Sequence, residues 1–308
     1  MVKKPTIKLS LLAAFVLLSL NAFPQKRFIP IDGTNIWINT IGLENRKEGQ
    51  PVVVFESGYG TPMDQWDRLL EGASGLAPLI TYDRPGIGES APDQELPTIK
   101  NVADKLLEVL NHLQIKPPYV LVGHSLGGMY VRGFARYYPQ VLAGLVIIDP
   151  ADFTETRQNK RDYYKPLGWD EARIDKTVLE IEAGLTNRNK EAPQSIREEG
   201  EVLADLRKTE FKEITEHALP NIPVHIITGG RFDAPEASRT KENEAVFRSK
   251  MRIRVGRWMD VVQSVDKGML LYSGDAGHFV HYDDPELVVS SIRLVLQDYE
   301  LLRQKKEK

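Results

Sequence analysis

Cysteine is absent from this chain of 308 residues, so no disulfide and no lipid-attachment thiol is available. A fold exported to an oxidising compartment would have to stand on its core alone. An excess of one charge is also missing: 40 Lys and Arg stand against 43 Asp and Glu, for a net charge of -3. With the two signs interspersed there is no basic stripe, which excludes nucleic acid as a partner on electrostatic grounds. Internal repeats and low-complexity tracts are lacking too. Long apolar runs are nearly so, since the one that stands out runs from Leu9 to Leu20 behind Lys3, Lys4 and Lys8. That run is shorter than the roughly 20 residues a spanning helix needs. It has the layout of a secretory leader, closing near Asn21 to Gln25. Residues 1–25 are therefore expected to be removed, the mature chain to begin between Ala22 and Lys26, and the protein to be secreted or periplasmic, with no stable membrane insertion afterwards.

What is present is an alternation of strand and helix signals. Arg27 to Ile31 and Asn35 to Ile41 flank Asp32-Gly33, a hairpin turn signal. Val52 to Phe55, Leu79 to Tyr82, Val120 to Val122 and Leu145 to Ile148 are continuous apolar runs, as expected of strands covered on both faces. Val224 to Thr228 and Met269 to Tyr272 follow late in the chain. Between them, Thr98 to Leu113 places Val102, Leu106, Val109, Leu110 and Leu113 on one helical face; Leu126 to Tyr138 and Pro285 to about Leu302 read as further helices. The pattern predicts an α/β fold, a doubly wound and mostly parallel eight-stranded sheet with right-handed crossovers. Ala151 to Leu219 breaks the rhythm. It has no strand signal, while Ile174, Val178, Ile181 and Leu185, and then Val202, Leu203 and Leu206, recur at helical spacing. Residues 151–219 are read as a helical cap inserted into a domain that spans 26–308.

The chemistry is carried by Tyr119-Val120-Leu121-Val122-Gly123-His124-Ser125-Leu126-Gly127-Gly128, an apolar strand that breaks at once into a helix with a serine at the corner. This is the pattern of a nucleophile elbow: Gly123 and Gly127 leave room where neighbouring chain passes too close for a Cβ, and the strained turn lifts the Ser125 hydroxyl clear. A serine needs a histidine to accept its proton and a carboxylate to orient that histidine. His278 follows the last strand through Gly274-Asp275-Ala276-Gly277, at the same sheet edge as Ser125. His281 is the fallback, and His112, His217 and His225 fall in helix or strand patterns. His124 projects away and packs within the elbow. For the acid we select Asp233, just past the strand Val224 to Thr228, with Asp149 at the end of Leu145 to Ile148 as the competitor; Asp275 is assigned to the turn itself. Oxyanion donors are expected from the backbone amides of Leu126, after the nucleophile, and Tyr59, in the glycine-rich loop Ser57-Gly58-Tyr59-Gly60, with the Tyr59 ring lining the acyl pocket.

Together these pieces resemble the α/β-hydrolase superfamily, in the serine-nucleophile branch with a helical cap after the sixth strand. The resemblance rests on Ser57-Gly58-Tyr59-Gly60 with Trp66 beyond it, on Tyr82-Asp83-Arg84-Pro85-Gly86-Ile87-Gly88-Glu89-Ser90, on the elbow, and on Gly277-His278 followed by Asp284-Pro285-Glu286. These segments run in the right order over most of the mature chain. Many relatives carry His-Gly where this chain has Ser57-Gly58, which leaves the support of the oxyanion loop open. The resemblance implies a hydrolase that cleaves a small-molecule ester, or a related amide or lactone, through an acyl-enzyme with no cofactor. A binding or sensor protein on the same fold, a carbon-carbon bond hydrolase and a cofactor-free haloperoxidase are the alternatives. Two decoys are set aside. Gly86-Ile87-Gly88-Glu89-Ser90-Ala91 fits a loose dinucleotide fingerprint but is flanked by Pro85 and Pro92, and His278, His281, Asp283 and Asp284 match no usual zinc spacing, so no metal is assigned. Arg252, Arg254 and Arg257 read as a solvated helix face. The oligomeric state is not legible.

Overall fold

A computed structural model of the chain describes residues 24–187 and 191–306. The expected leader, residues 1–25, lies outside them except for Pro24 and Gln25, and Gln25 already opens the first strand.

Eight strands form one sheet: β1 (Gln25–Ile31), β2 (Thr34–Ile41), β3 (Val52–Glu56), β4 (Leu79–Tyr82), β5 (Tyr119–His124), β6 (Leu142–Ile148), β7 (Val224–Gly229) and β8 (Gly268–Ser273), in the order β1-β2-β4-β3-β5-β6-β7-β8. β1 and β2 pair antiparallel across Asp32-Gly33, both at positive φ (47° and 80°), the geometry of a tight primed hairpin turn. β2 runs antiparallel to β4, and every pairing from β4 through β8 is parallel. The continuous apolar runs have their reason here, because helices cover both faces of this sheet.

The helices are α1 (Asp67–Ser74), α2 (Ile99–His112), α3 (Leu126–Tyr137), α4 (Arg157–Asp162), α5 (Glu171–Asn187), α6 (Gln194–Lys208), α7 (Lys212–Thr215), α8 (Lys241–Gln263), α9 (Val280–Asp283) and α10 (Pro285–Lys306). α2 starts where Thr98 accepts a hydrogen bond from the Asn101 amide (3.2 Å), a side-chain cap on the open amides of its first turn. α2, α3 and α8 contribute to the apolar layer on one face of the sheet, built on Val54, Leu121, Ile147 and Ile226. α1 and α10 contribute to the layer on the other, built on Val53, Phe55, Val122 and Val146. Alternate residues of the same strand thus enter opposite cores.

α4 to α7 fall between β6 and β7, where the insertion was expected. Ile174 and Val178 are buried with Tyr163 and Tyr164 in a small core of the cap's own, while Ile181 on the same stripe is exposed. The side chain of Leu185 lies outside the described residues. Leu206 is buried in the layer that α3 also enters, which seats the cap on the sheet domain.

Candidate active site

β5 ends and α3 begins at Ser125, whose backbone sits at φ 53°, ψ -114°. That conformation is costly for a residue with a side chain and is held by its surroundings. Ser125 N–H donates to the Ile148 carbonyl (3.0 Å), and Ser125 C=O accepts from Ala151 (2.8 Å), so β6 and the chain after it clamp both sides of the corner. A Cβ on Gly123 would collide with the Gly127 carbonyl, and one on Gly127 with the carbonyls of Glu56 and Ser57. The sequence reading of those two glycines holds.

His278 lies after β8, on the same side of the sheet, and with Ser125, Tyr59 and Leu126 it lines a cavity of about 800 Å³ between sheet edge and cap. Its partner is not the expected one. His278 Nδ1 is 2.6 Å from Asp149 Oδ2, across the gap between β8 and β6. Asp233 instead lies at the surface, its side chain 57% exposed and 3.4 Å from Arg231. Arg231 also pairs with Asp283 (2.9 Å). The choice of Asp233 is therefore corrected to Asp149. β6 pairs directly with β7 and ends at Ile148, and Asp149 follows at a positive φ of 36°, where Thr228 Oγ1 also donates to it (2.7 Å). Asp275, as expected, serves its turn, accepting from Ser273 Oγ (3.3 Å).

Burial alone would raise the Asp149 carboxyl, but Arg254, His278 and Thr228 outweigh it and hold the group below the usual carboxylate range. An ionised Asp149 accepts only, so His278 Nδ1 carries the proton and Nε2 is left as the acceptor. Arg254 Nη2 is 2.6 Å from Asp149 Oδ1, and its guanidinium stacks over Trp258 at 4.1 Å. Arg257 pairs with Asp152 in the same way. The basic run on α8 thus turns inward at Arg254 and Arg257, where a solvated face was expected. The signal was present in the sequence: apolar Trp258 and Val262 share that face, and both are buried.

His124 is buried, yet it is among the residues that line the cavity. Its Nε2–H donates to the His278 carbonyl (3.0 Å), and the two rings lie 4.7 Å apart. Burial, with His281 and His278 nearby, pushes His124 well below the ordinary histidine range, so it is a neutral brace for the loop that carries His278. His281, the fallback base, is fully buried against Trp66 (4.9 Å) and is held neutral by burial, down to about 3. It is not among the cavity residues.

The loop of residues 57–60, expected to hold the oxyanion, has its support from a source the sequence did not declare. Arg84 donates to the carbonyls of Ser57 (2.7 Å) and Gly58 (2.8 Å) while pairing with Glu56 (2.6 Å) and with Glu199 of α6 (2.7 Å). Glu199 also accepts the Gly60 amide (2.8 Å), and Tyr82 O–H donates to Glu56. All four side chains are buried. Burial disfavours the Arg84 charge, but the two carboxylates outweigh it and raise the guanidinium above its ordinary value. Ser57 accepts from Trp66 Nε1 (3.1 Å). Tyr59 O–H donates to Ile196 C=O (2.8 Å), so the loop is fastened to the cap at a second point. The Gly60 amide goes to Glu199 and the Thr61 amide to the Gly58 carbonyl (3.3 Å), while Tyr59 of this loop and Leu126, at the open first turn of α3, both line the cavity beside Ser125.

A profile described as "Alpha/beta hydrolase family" matches residues 53–291. Among curated proteins, the chain is 25% identical over 299 residues to a probable transporter efuK of Hormonema carpetanum, covering 88% of this chain and 43% of that one. It is 34% identical over 109 residues to the uncharacterized protein YqjL of Bacillus subtilis (35% and 43%), and so spans less than half the length of either. Over 104 residues it is 33% identical to a putative carbamate hydrolase RutD of Caulobacter vibrioides (33% and 38%). Solved structures of the same fold include a naproxen esterase from Bacillus subtilis (TM-score 0.51, 15% identity, 88% of this chain and 90% of that one). A haloalkane dehalogenase from Bradyrhizobium elkanii is another (0.59, 16%, 91% and 99%). The eight-stranded sheet, the elbow at Ser125 and the profile match lead to one conclusion: the chain belongs to the alpha/beta hydrolase family.

Proposed function

We propose that the protein is a serine hydrolase that cleaves a carboxylic ester, or a related amide or lactone, through an acyl-enzyme. The observation that carries this reading is the Asp149–His278 pair opening into the same cavity as the strained Ser125. In the proposed reaction Ser125 Oγ attacks the substrate carbonyl carbon while His278 Nε2 takes the hydroxyl proton. Asp149 keeps the imidazole in the correct tautomer and stabilises the cation that forms. The tetrahedral oxyanion accepts from the Leu126 and Tyr59 amides. Collapse breaks the bond to the leaving alkoxide, which departs with the proton from His278, and water then repeats the sequence to release the acid. Nothing in these steps draws on a cofactor. The reading is supported by the esterase and hydrolase names among the similar proteins, while the substrate belongs to the cap.

Exposure of the purified protein to a fluorophosphonate, followed by intact mass and peptide mapping, tests it. Stoichiometric labelling at Ser125, with p-nitrophenyl ester turnover abolished in Ser125→Ala, is expected. An unchanged mass after prolonged exposure refutes it.

A further inference from the structure

The cavity holds a charge that the hydrolytic steps do not use. Lys250, on α8, lines it together with Ser125 and His278. Among the described residues its ammonium makes no hydrogen bond and no ion pair; it lies 5.7 Å from the Tyr163 ring centroid. The charged groups that face it are Glu155 and Asp152, from the chain after β6, Arg254, one turn along its own helix, and Arg207 from α6. The acids are already engaged. Asp152 takes the Arg257 guanidinium and the Thr154 hydroxyl (2.7 Å), and Glu155 accepts from Tyr163 O–H (2.8 Å). Elsewhere in the lining, Asp205 pairs with Lys208 (2.7 Å) and Glu201 stands at the exposed rim. Arg254 is committed through Nη2 to Asp149 (2.6 Å).

Lys250 is half-buried in the cavity wall; holding an ammonium there without a counter-ion is costly, and burial lowers its pKa from the usual value. A like charge at i,i+4 adds to that cost rather than relieving it. A fold that wanted only stability would carry an apolar side chain there.

We infer that Lys250, beside Arg254, forms a carboxylate subsite, so that the substrate is an ester bearing a second, ionised carboxyl group. The inference rests on the hydrolase reading for its reaction but on the unpaired cation for its specificity. The substrate's carboxylate accepts from the Lys250 ammonium, with the Arg254 guanidinium adding positive charge from the same cavity wall, while its ester carbonyl reaches Ser125. Bond formation at the subsite is non-covalent, and the reaction at Ser125 is unchanged.

Two substrate pairs test it: p-nitrophenyl hydrogen glutarate against p-nitrophenyl valerate, with the carboxylate on the acyl side, and 4-carboxyphenyl butyrate against 4-carbamoylphenyl butyrate, with it on the alcohol side. One carboxylate ester is expected to exceed its neutral counterpart in kcat/KM by tenfold or more, and Lys250→Met to bring that ratio to about one. No preference in either pair, or one that survives in Lys250→Met, overturns the subsite. Calorimetric binding of the same half-esters to Ser125→Ala protein separates the two readings. Affinity that falls tenfold or more with the added Lys250→Met supports the subsite even if the wild type turns nothing over; equal affinity overturns it. Removing the uncompensated charge is also expected to raise Tm, by about 2–4 °C for each kcal/mol regained. Lys250→Gln substitutes if the Met variant does not fold.

Discussion

Replacing Asp149 by asparagine separates the two carboxylates that the sequence left in competition. The outcome follows from which oxygen does what. Asp149 Oδ1 accepts from Arg254 (2.6 Å) and from Thr228 (2.7 Å), and the Arg254 guanidinium can only donate. Oδ2 alone faces His278 (2.6 Å). In Asp149→Asn the carbonyl oxygen therefore stays with Arg254 and Thr228, and the NH2 is forced towards His278 Nδ1. Nδ1 must then accept, the ring proton moves to Nε2, and the atom that should take the serine proton is already occupied. A wrong-tautomer loss of this kind is on the order of 10⁴ in kcat, about 5.5 kcal/mol of transition-state stabilisation. Stability should fall less, by about 1–3 kcal/mol, since the hydrogen bonds survive and only the charge pairing with Arg254 is lost. The assay is kcat/KM on p-nitrophenyl butyrate with Tm measured alongside. Asp233→Asn is the matched control, expected within about twofold because exposed pairs such as Arg231–Asp233 are worth little. Full activity in Asp149→Asn together with loss in Asp233→Asn would refute the assignment.

Two further expectations follow from the buried charges. Glu199→Ala leaves Arg84 short of a partner and the Gly60 amide without an acceptor, so urea unfolding should show a loss of about 3–5 kcal/mol. Turnover should also drop through a loosened oxyanion loop, with kcat falling more than KM rises, and Glu199→Gln, which keeps an acceptor, should recover most of it. The second concerns pH. Burial lowers His225 to about 4, below its unfolded value near 6.5, so the unfolded state binds the extra proton first and the stabilisation, full above about 6.5, is lost as pH falls towards 4. Between pH 7 and 5 that amounts to about 2 kcal/mol. Glu56, raised by burial, acts in the opposite sense, so the quantity to measure is the difference in pH dependence between wild type and His225→Gln. Equal slopes for the two proteins would contradict it.

Much of this architecture is a matter of local pattern. The continuous runs at Val52 to Phe55 and Leu145 to Ile148 predict doubly covered strands because a buried parallel sheet has no polar face to alternate with, and β3 and β6 are such strands. Asp32-Gly33 specifies its turn, and Gly123 and Gly127 specify the elbow, because each is a steric demand met by a few consecutive residues. The histidine was legible for the same reason, as a glycine turn after the last strand places His278 at the edge that holds Ser125. What sequence order could not decide was which of two strand-end carboxylates lies beside that histidine. Asp149 and Asp233 follow adjacent strands, and only the packed sheet brings the first under the imidazole while Arg231 draws the second outward. The inward turn of Arg254 onto Asp149, the pairing of Arg84 with Glu199, and the meeting of Glu199 with Gly60 join residues more than a hundred positions apart. Such contacts are properties of the closed fold, set by how the cap seats on the sheet and not by the spacing of any residues along the chain.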